Sequence, residues 1–147
     1  MIENVLIICV GNICRSPIGE ALFAHEFKRG QQATTVSSAG LGALVNKPAD
    51  PVAQELMLQR GIDISAHKAR QLSADILFSS DLILTMTADQ QAQIEAQYPS
   101  ARGRVHRIGK WDNYDVPDPY QRPKIVFEQA LLLIEQGVSE WYRKLWN

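Results

Sequence analysis

The sequence predicts an α/β fold, a doubly wound sheet of about four parallel strands with helices on both faces. Three observations carry that expectation. Val5-Leu-Ile-Ile-Cys9 is an unbroken apolar run rich in β-branched residues, as expected of a strand buried on both faces. Strand-like and helix-like stretches then alternate along the chain, the pattern of βαβ units with right-handed crossovers. The last stretch, from about Pro123, spaces Phe127, Leu131, Ile134, Val138, Trp141 and Leu145 by threes and fours, which makes one long amphipathic helix.

The first strand leads into a short loop holding Gly11 and Asn12, two residue types that tolerate left-handed backbone angles. Ser16-Pro17 reads as a helix start, a hydroxyl cap followed by a proline whose missing N–H costs nothing there. The helix carries Ile18, Ala21, Leu22 and Phe27 and stops at Gly30. Gly19 in its first turn should weaken it by up to ~1 kcal/mol. Residues 34–38 form a second, β-branched strand and complete a βαβ unit. A helix over 51–60 starts from Asp50-Pro51 and turns Val52, Leu56 and Met57 inward. Residues 81–86 read as a third buried strand, a helix follows over about 88–97 and stops near Pro99, and residues 105–108 read as an edge strand.

The 147 residues suit one domain, 1–147, with a proper core. A hydrophobic content of 46% and a charged content of 21% exclude the disordered and fibrous classes. A net charge of −1 gives no reason to expect nucleic acid or an anionic membrane as partner. The N-terminus carries no basic leader and the apolar runs are too short to span a bilayer, so no direct membrane insertion is expected. Cys9 and Cys14, in one loop, do not make the disulfide framework of a secreted protein, and a cytoplasmic location is expected. His25 and His106 fit no metal-ligand spacing and read as surface residues; no metal and no cofactor are expected.

The loop after the first strand concentrates the chemistry. Successive N–H groups turned inward at a helix N-terminus attract an anion. Cys9 stands at one end of this loop and Arg15 at the other, as Cys-x5-Arg. Facing such donors, the sulfur is favoured as thiolate, its nucleophilic form. Arg15 offers a planar fork suited to two oxygens of a phosphate. A phosphoryl group held there would have the sulfur behind phosphorus, aligned for in-line attack and a phosphocysteine intermediate. The loop amides and Arg15 would hold the charge on the equatorial oxygens without a metal.

Cys9-Val10-Gly11-Asn12-Ile13-Cys14-Arg15-Ser16-Pro17 resembles the phosphate-binding signature of the low-molecular-weight protein tyrosine phosphatases. It is close to the bacterial branch paired with tyrosine kinases of polysaccharide export. Ser37-Ser38-Ala39-Gly40, Lys47-Pro48-Ala49-Asp50, His67 to Gln71, Asp81 to Met86 and Asp118-Pro119-Tyr120 match in the family's order, so the similarity covers essentially the whole chain. A bare Cys-x5-Arg would be weak; the nine-residue form opening a helix after a buried strand is specific. The resemblance implies a phosphotyrosine protein as substrate, in particular an autophosphorylating bacterial tyrosine kinase, and a role in capsule or exopolysaccharide production.

Expelling a tyrosine phenol, with a pKa near ~10, calls for a proton donor. The residues alone offer His67, His106 and the acids Asp112, Asp115 and Asp118. Asp118 lies between Pro117 and Pro119, and on local sequence alone reads as a turn residue. The Asp-Pro-Tyr match implies that it is general acid in the first step and base toward water in the second, with Asp115 as the fallback. The resemblance further implies Val10, Gly11, Asn12, Ile13, Cys14 and Ser16 around the phosphate, and Leu44 and Tyr120 as walls of the cleft. Larger family members outside the bacterial branch often place an aromatic at the Leu44 position. Ser38 and His67 are implied as hydrogen-bond partners of a strained Asn12, and Ser16 as a neighbour of the sulfur that eases thiolate departure. His67 reads as structural and Arg70 as an ion-pair or backbone anchor. Cys14 either traps an oxidised Cys9 as a disulfide or fills the underside of the loop.

Three other readings fit less well. An arsenate reductase of the same fold relays oxidation through additional cysteines, and this chain has none beyond Cys14. A non-catalytic anion-binding module would be expected to lack the nucleophile or the acid. A nucleotide-binding reading lacks its Gly-x4-Gly-Lys-Ser/Thr loop.

Overall fold

The structure, a computed structural model, describes residues 1–146; Asn147, the last residue of the expected 1–147 domain, lies outside the described residues. Strand β1 (Asn4–Cys9) lies inside the sheet because it is apolar on both faces. Its neighbours are β2 (Thr35–Gly40) on one edge and β3 (Leu82–Thr85) on the other, with β4 (Val105–Arg107) beyond β3; all pairs are parallel. Five of the six residues of β1 are buried. The side-chain period of two divides them between two cores. Val5, Ile7 and Cys9 face α1 (Arg15–Arg29), α2 (Pro51–Gln59) and α5 (Lys124–Leu145), and share a core with Phe23, Leu56, Phe127, Ile134 and Trp141. Leu6 and Ile8 face α3 (Ala74–Phe78) and α4 (Ala88–Gln97), with Leu77 and Ile94. Each such side chain contributes roughly 1.5–3 kcal/mol on burial. The doubly wound parallel sheet expected from the sequence is therefore the observed one.

Several local expectations are corrected. Helix α1 starts at Arg15, with Cys14 in the cap position and no side-chain cap. Ser16 therefore lies inside the first turn rather than capping it, because its hydroxyl is engaged by Cys9 and Asn12. Gly19 does more than weaken the helix. A Cβ built there would stand 3.0 Å from Ile7 Cγ2, so the glycine lets α1 approach β1 closely. Strand β2 begins one residue later than expected and continues to Gly40, opposite Cys9, while β3 is shorter at both ends than 81–86. Helix α3 and one-turn 3-10 helices at Pro99–Ala101 and Lys110–Asp112 were not expected, being too short to show a period. His106 is half-buried against Trp141, with ring centroids 5.7 Å apart, and burial together with Lys110 lowers its pKa; only His25 is exposed.

The chain leaves β1 toward β2 on one side and later returns to β3 on the other. The carboxyl end of β1 is thus the switch point at which doubly wound sheets open a crevice. Among the described residues no helix is long and apolar enough to cross a membrane.

Candidate active site

The loop from Cys9 to Cys14 is held from outside by its carbonyl groups. Cys9 O accepts from Leu41 N, Val10 O from Gly42 N, Gly11 O from Leu44 N and Ile13 O from Asp50 N, all at 2.8–3.0 Å. Asn12 O meets His67 Nε2 at 2.6 Å, and Cys14 O accepts from Ile18 N at 3.4 Å. Because a carbonyl only accepts, His67 Nε2 carries the proton in that bond. With six successive carbonyls taken, the peptide planes turn their N–H groups the other way. Among the described residues no N–H from Val10 to Cys14 has a protein acceptor. Asn12 makes the bend at φ 60°, and its side chain is fully buried. Five free donors at the start of α1 are a ready anion cradle.

Behind the cradle, the hydrogen bonds have a determinate direction. Arg70 N donates to Asn12 Oδ1 at 2.9 Å, which leaves Asn12 Nδ2 to donate to Ser16 Oγ at 2.7 Å and to Ser38 Oγ at 3.0 Å. Ser16 Oγ, accepting there, is free to donate its own proton to Cys9 Sγ, 2.9 Å away. Asn12 and Ser16 are thus fully buried behind the loop rather than lining the pocket with their side chains. Ser38 and His67 are the partners of Asn12, as the resemblance implied. Arg70 is a backbone anchor, with Nε donating to Ser38 O at 2.8 Å.

A pocket of about 170 Å³ opens over the loop. Cys9, 2% exposed, lies at its floor, with Val10, Gly11, Ile13, Cys14 and Arg15 around it and Leu44, Gly42, Asp118 and Tyr120 above. Arg15 Nη1 donates to Val116 O at 2.9 Å, and its Nη2 stands 3.8 Å from Asp118 Oδ2. Asp118 Oδ1 accepts from Tyr120 N at 3.1 Å, so this residue forms a turn and also presents its other oxygen to the pocket. Burial, reinforced by Asp50, pushes the Cys14 thiol well above the usual thiol range, and it stands as a protonated, packed side chain of the wall. Asp115 is not in the pocket; it accepts from Ala88 N and pairs with Arg107.

Two members of the assembly had not been singled out in the sequence. Gly42 lines the pocket, and Glu20 accepts the hydroxyl proton of Ser38. Glu20 follows Ser16 by four residues on one helix face, a spacing that could have pointed to it. Larger hollows exist, including one of about 820 Å³ beside Ile2, Thr35 and Trp146 at the amino ends of β1 and β2, away from the loop. Among the described residues no group of three or more His, Cys, Asp or Glu side chains could hold a metal ion.

Known proteins resemble the chain over essentially its whole length. The family described as low molecular weight phosphotyrosine protein phosphatase matches residues 4–147. A probable low molecular weight protein-tyrosine-phosphatase, EpsP of Ralstonia solanacearum, is 43% identical over 145 residues, covering 99% of this chain and 97% of its own. Among solved structures, the tyrosine phosphatase AmsI of Erwinia amylovora superimposes with a TM-score of 0.93 at 34% identity, over 100% of this chain and 95% of its own. The tyrosine phosphatase Wzb of Escherichia coli K30, in complex with sulphate, does so with a TM-score of 0.90 at 36% identity, over 99% of both chains.

Proposed function

The chain belongs to the low molecular weight phosphotyrosine protein phosphatase family and is a low molecular weight protein-tyrosine-phosphatase, and from that premise we propose that it works through a phosphocysteine on Cys9. The observation that carries this reading is the buried Cys9 sulfur at the floor of a pocket formed by a loop in which, among the described residues, no N–H from Val10 to Cys14 has an acceptor, with Arg15 and Asp118 on the same pocket.

The phosphoryl oxygens take the loop N–H groups and the guanidinium of Arg15, which places phosphorus in front of Sγ. The Cys9 thiolate attacks phosphorus as the bond from phosphorus to the phenolic oxygen breaks. Protonated Asp118 gives its proton to that oxygen, so tyrosine leaves neutral. Water then attacks the phosphocysteine and Asp118 takes a proton from it. The sulfur–phosphorus bond breaks with its electron pair returning to sulfur, and phosphate is released. Ser16, donating to Sγ, stabilises the thiolate both when it attacks and when it departs. Leu44 and Tyr120, both partly exposed above the pocket, form walls that accept a flat phenyl ring and set its depth. On this reading residues 1–147 act as one cytoplasmic domain. Its partner is an autophosphorylating bacterial tyrosine kinase of capsule or exopolysaccharide production, a role that rests on the resemblance of the Cys9–Pro17 segment.

The test is phosphate release from phosphotyrosine and phosphoserine peptides in excess chelator, with rapid quenching to trap phosphoenzyme. Turnover of the phosphotyrosine peptide alone, with label on Cys9, is the expected result. Tight phosphate binding without turnover or label would leave an anion-binding module instead.

A further inference from the structure

Glu20 reaches neither the pocket nor the phosphate cradle, yet it ends the chain of hydrogen bonds that begins at the Cys9 sulfur. Each bond in that chain has its direction set by groups that can act in only one sense. The Arg70 backbone N–H can only donate, so Asn12 Oδ1 faces it and both Asn12 amide protons go to hydroxyl oxygens. Each hydroxyl must then place its own proton elsewhere. That of Ser16 goes to Cys9 Sγ, and that of Ser38 goes to the Glu20 carboxylate, which when ionised can only accept. Asn12 and Ser16 are fully buried and Ser38 nearly so, so with Glu20 in place no solvent supplies a substitute partner.

We propose that Glu20 is a positioning residue for the phosphatase reaction, holding the Ser38–Asn12–Ser16 chain in the one direction that keeps a hydroxyl proton on the Cys9 sulfur. Without an acceptor at Glu20, the Ser38 proton has no fixed destination, and Ser38 competes with Arg70 N for Asn12 Oδ1. An Asn12 amide turned toward Ser38 and Ser16 by its oxygen would draw the Ser16 proton off the sulfur. Three atoms separate cause and effect, but every one of them is a buried polar atom with a single alternative. Glu20 opens on its outer side to a cleft shared with His25, Lys28, Asp63 and His67, so substitution there can be made without filling the pocket. The inference rests on the reading of Cys9 as nucleophile and Ser16 as its donor.

The experiment compares Glu20→Ala and Glu20→Gln with the wild type in three measurements. These are steady-state turnover of an aryl phosphate, inhibition by inorganic phosphate, and the pH profile of Cys9 alkylation by iodoacetamide located by mass spectrometry. For Glu20→Ala, kcat should fall about tenfold, the low end of one charge-assisted hydrogen bond, felt through three intervening atoms. Phosphate inhibition should stay within about twofold, since the cradle itself is untouched. The alkylation profile should move to higher pH; Arg15, Asp118 and Cys14, which face the same pocket, are unchanged in the variant. Glu20→Gln keeps an acceptor oxygen and should recover most of kcat and of the profile. A Glu20→Ala enzyme with wild-type kcat and profile overturns the inference. So does one that loses phosphate affinity and thermal stability in step with kcat, because Glu20 would then only tie α1 to β2. A wild-type protein that neither turns over phosphotyrosine nor is alkylated at Cys9 removes the underlying reading instead, and the two failures are told apart by the wild type alone.

Discussion

Replacing Gly40 by alanine puts a single methyl group against the back of the cradle. The new Cβ would lie 2.4 Å from Val10 O and 3.1 Å from Asn12 Cβ and Ala43 Cβ. An ordinary carbon–oxygen contact begins near ~3.3 Å, so the Val10 peptide or the end of β2 has to move by roughly 1 Å. Neither is free: Val10 O is bonded to Gly42 N, and Gly40 itself donates to Arg70 O and accepts from Leu72 N. Overpacking of this kind costs about 1–3 kcal/mol, which for a chain of this length lowers Tm by several degrees. The larger effect should be on rate, because a displacement of about 1 Å at a reacting centre can cost on the order of 10²-fold. Turnover of an aryl phosphate and a thermal melt measure the two. Gly42→Ala serves as the stability control, since its Cβ would meet only Val10 Cγ1, at 3.9 Å, and its Tm should be unchanged. A Gly40→Ala enzyme with wild-type kcat/KM would show that the cradle yields without disturbing its donors, and the account of a scaffold-held loop would fail.

Other substitutions probe the proposed roles directly. Cys9→Ser should abolish turnover and leave phosphate binding intact, seen as a rise in Tm on adding phosphate; loss of both would place Cys9 in the fold rather than the chemistry. Asp118→Asn should lower kcat by about 10²–10⁴-fold on phenols of high pKa and far less on p-nitrophenyl phosphate, and equal losses on both would remove it from the acid role. Arg15→Lys cannot both bond Val116 O and offer a fork to phosphate, and kcat/KM should fall by about 10²-fold or more. Burial, with Asp112 and Glu140 nearby, pushes the Tyr114 hydroxyl up to about 12. Its folded pKa thus lies above the unfolded value, so its contribution to stability is complete below pH ~10 and is lost as pH rises through the folded value. An ultraviolet titration should show one of the four tyrosines ionising late, a step missing in Tyr114→Phe; four tyrosines ionising together would refute it.

The parts legible in the sequence were those written in contiguous residues. The β1–loop–α1 segment completes its strand, its cradle and its two reactive side chains within a dozen residues. Helix α4, expected over about 88–97 with its stop near Pro99, runs Ala88–Gln97. What escaped depends on distant pieces meeting. Ser16 reads as a cap until Ser38 and Arg70 arrive from β2 and the loop after α2 to order Asn12. Glu20 has no local signal except its spacing, and His106 reads as a surface residue until Trp141 of α5 covers it. Asp118 shows a different case, where two readings of one residue coexist because its two oxygens do different things.

A cradle whose six carbonyls are all bonded, five to other segments and the sixth to its own helix, needs nothing from its guest in order to form. It therefore greets a free anion and an esterified one with the same donors, and the phosphate produced by each turnover is a competitor for the next. On the proposed mechanism, ambient phosphate would act as a standing brake on such a site, and discrimination in favour of a phosphorylated protein would fall to the exposed side chains above it, Val10, Leu44 and Tyr120. Exchanging those side chains would leave the backbone donors of the floor in place, which would make the rim the place where one scaffold is retuned for different clients.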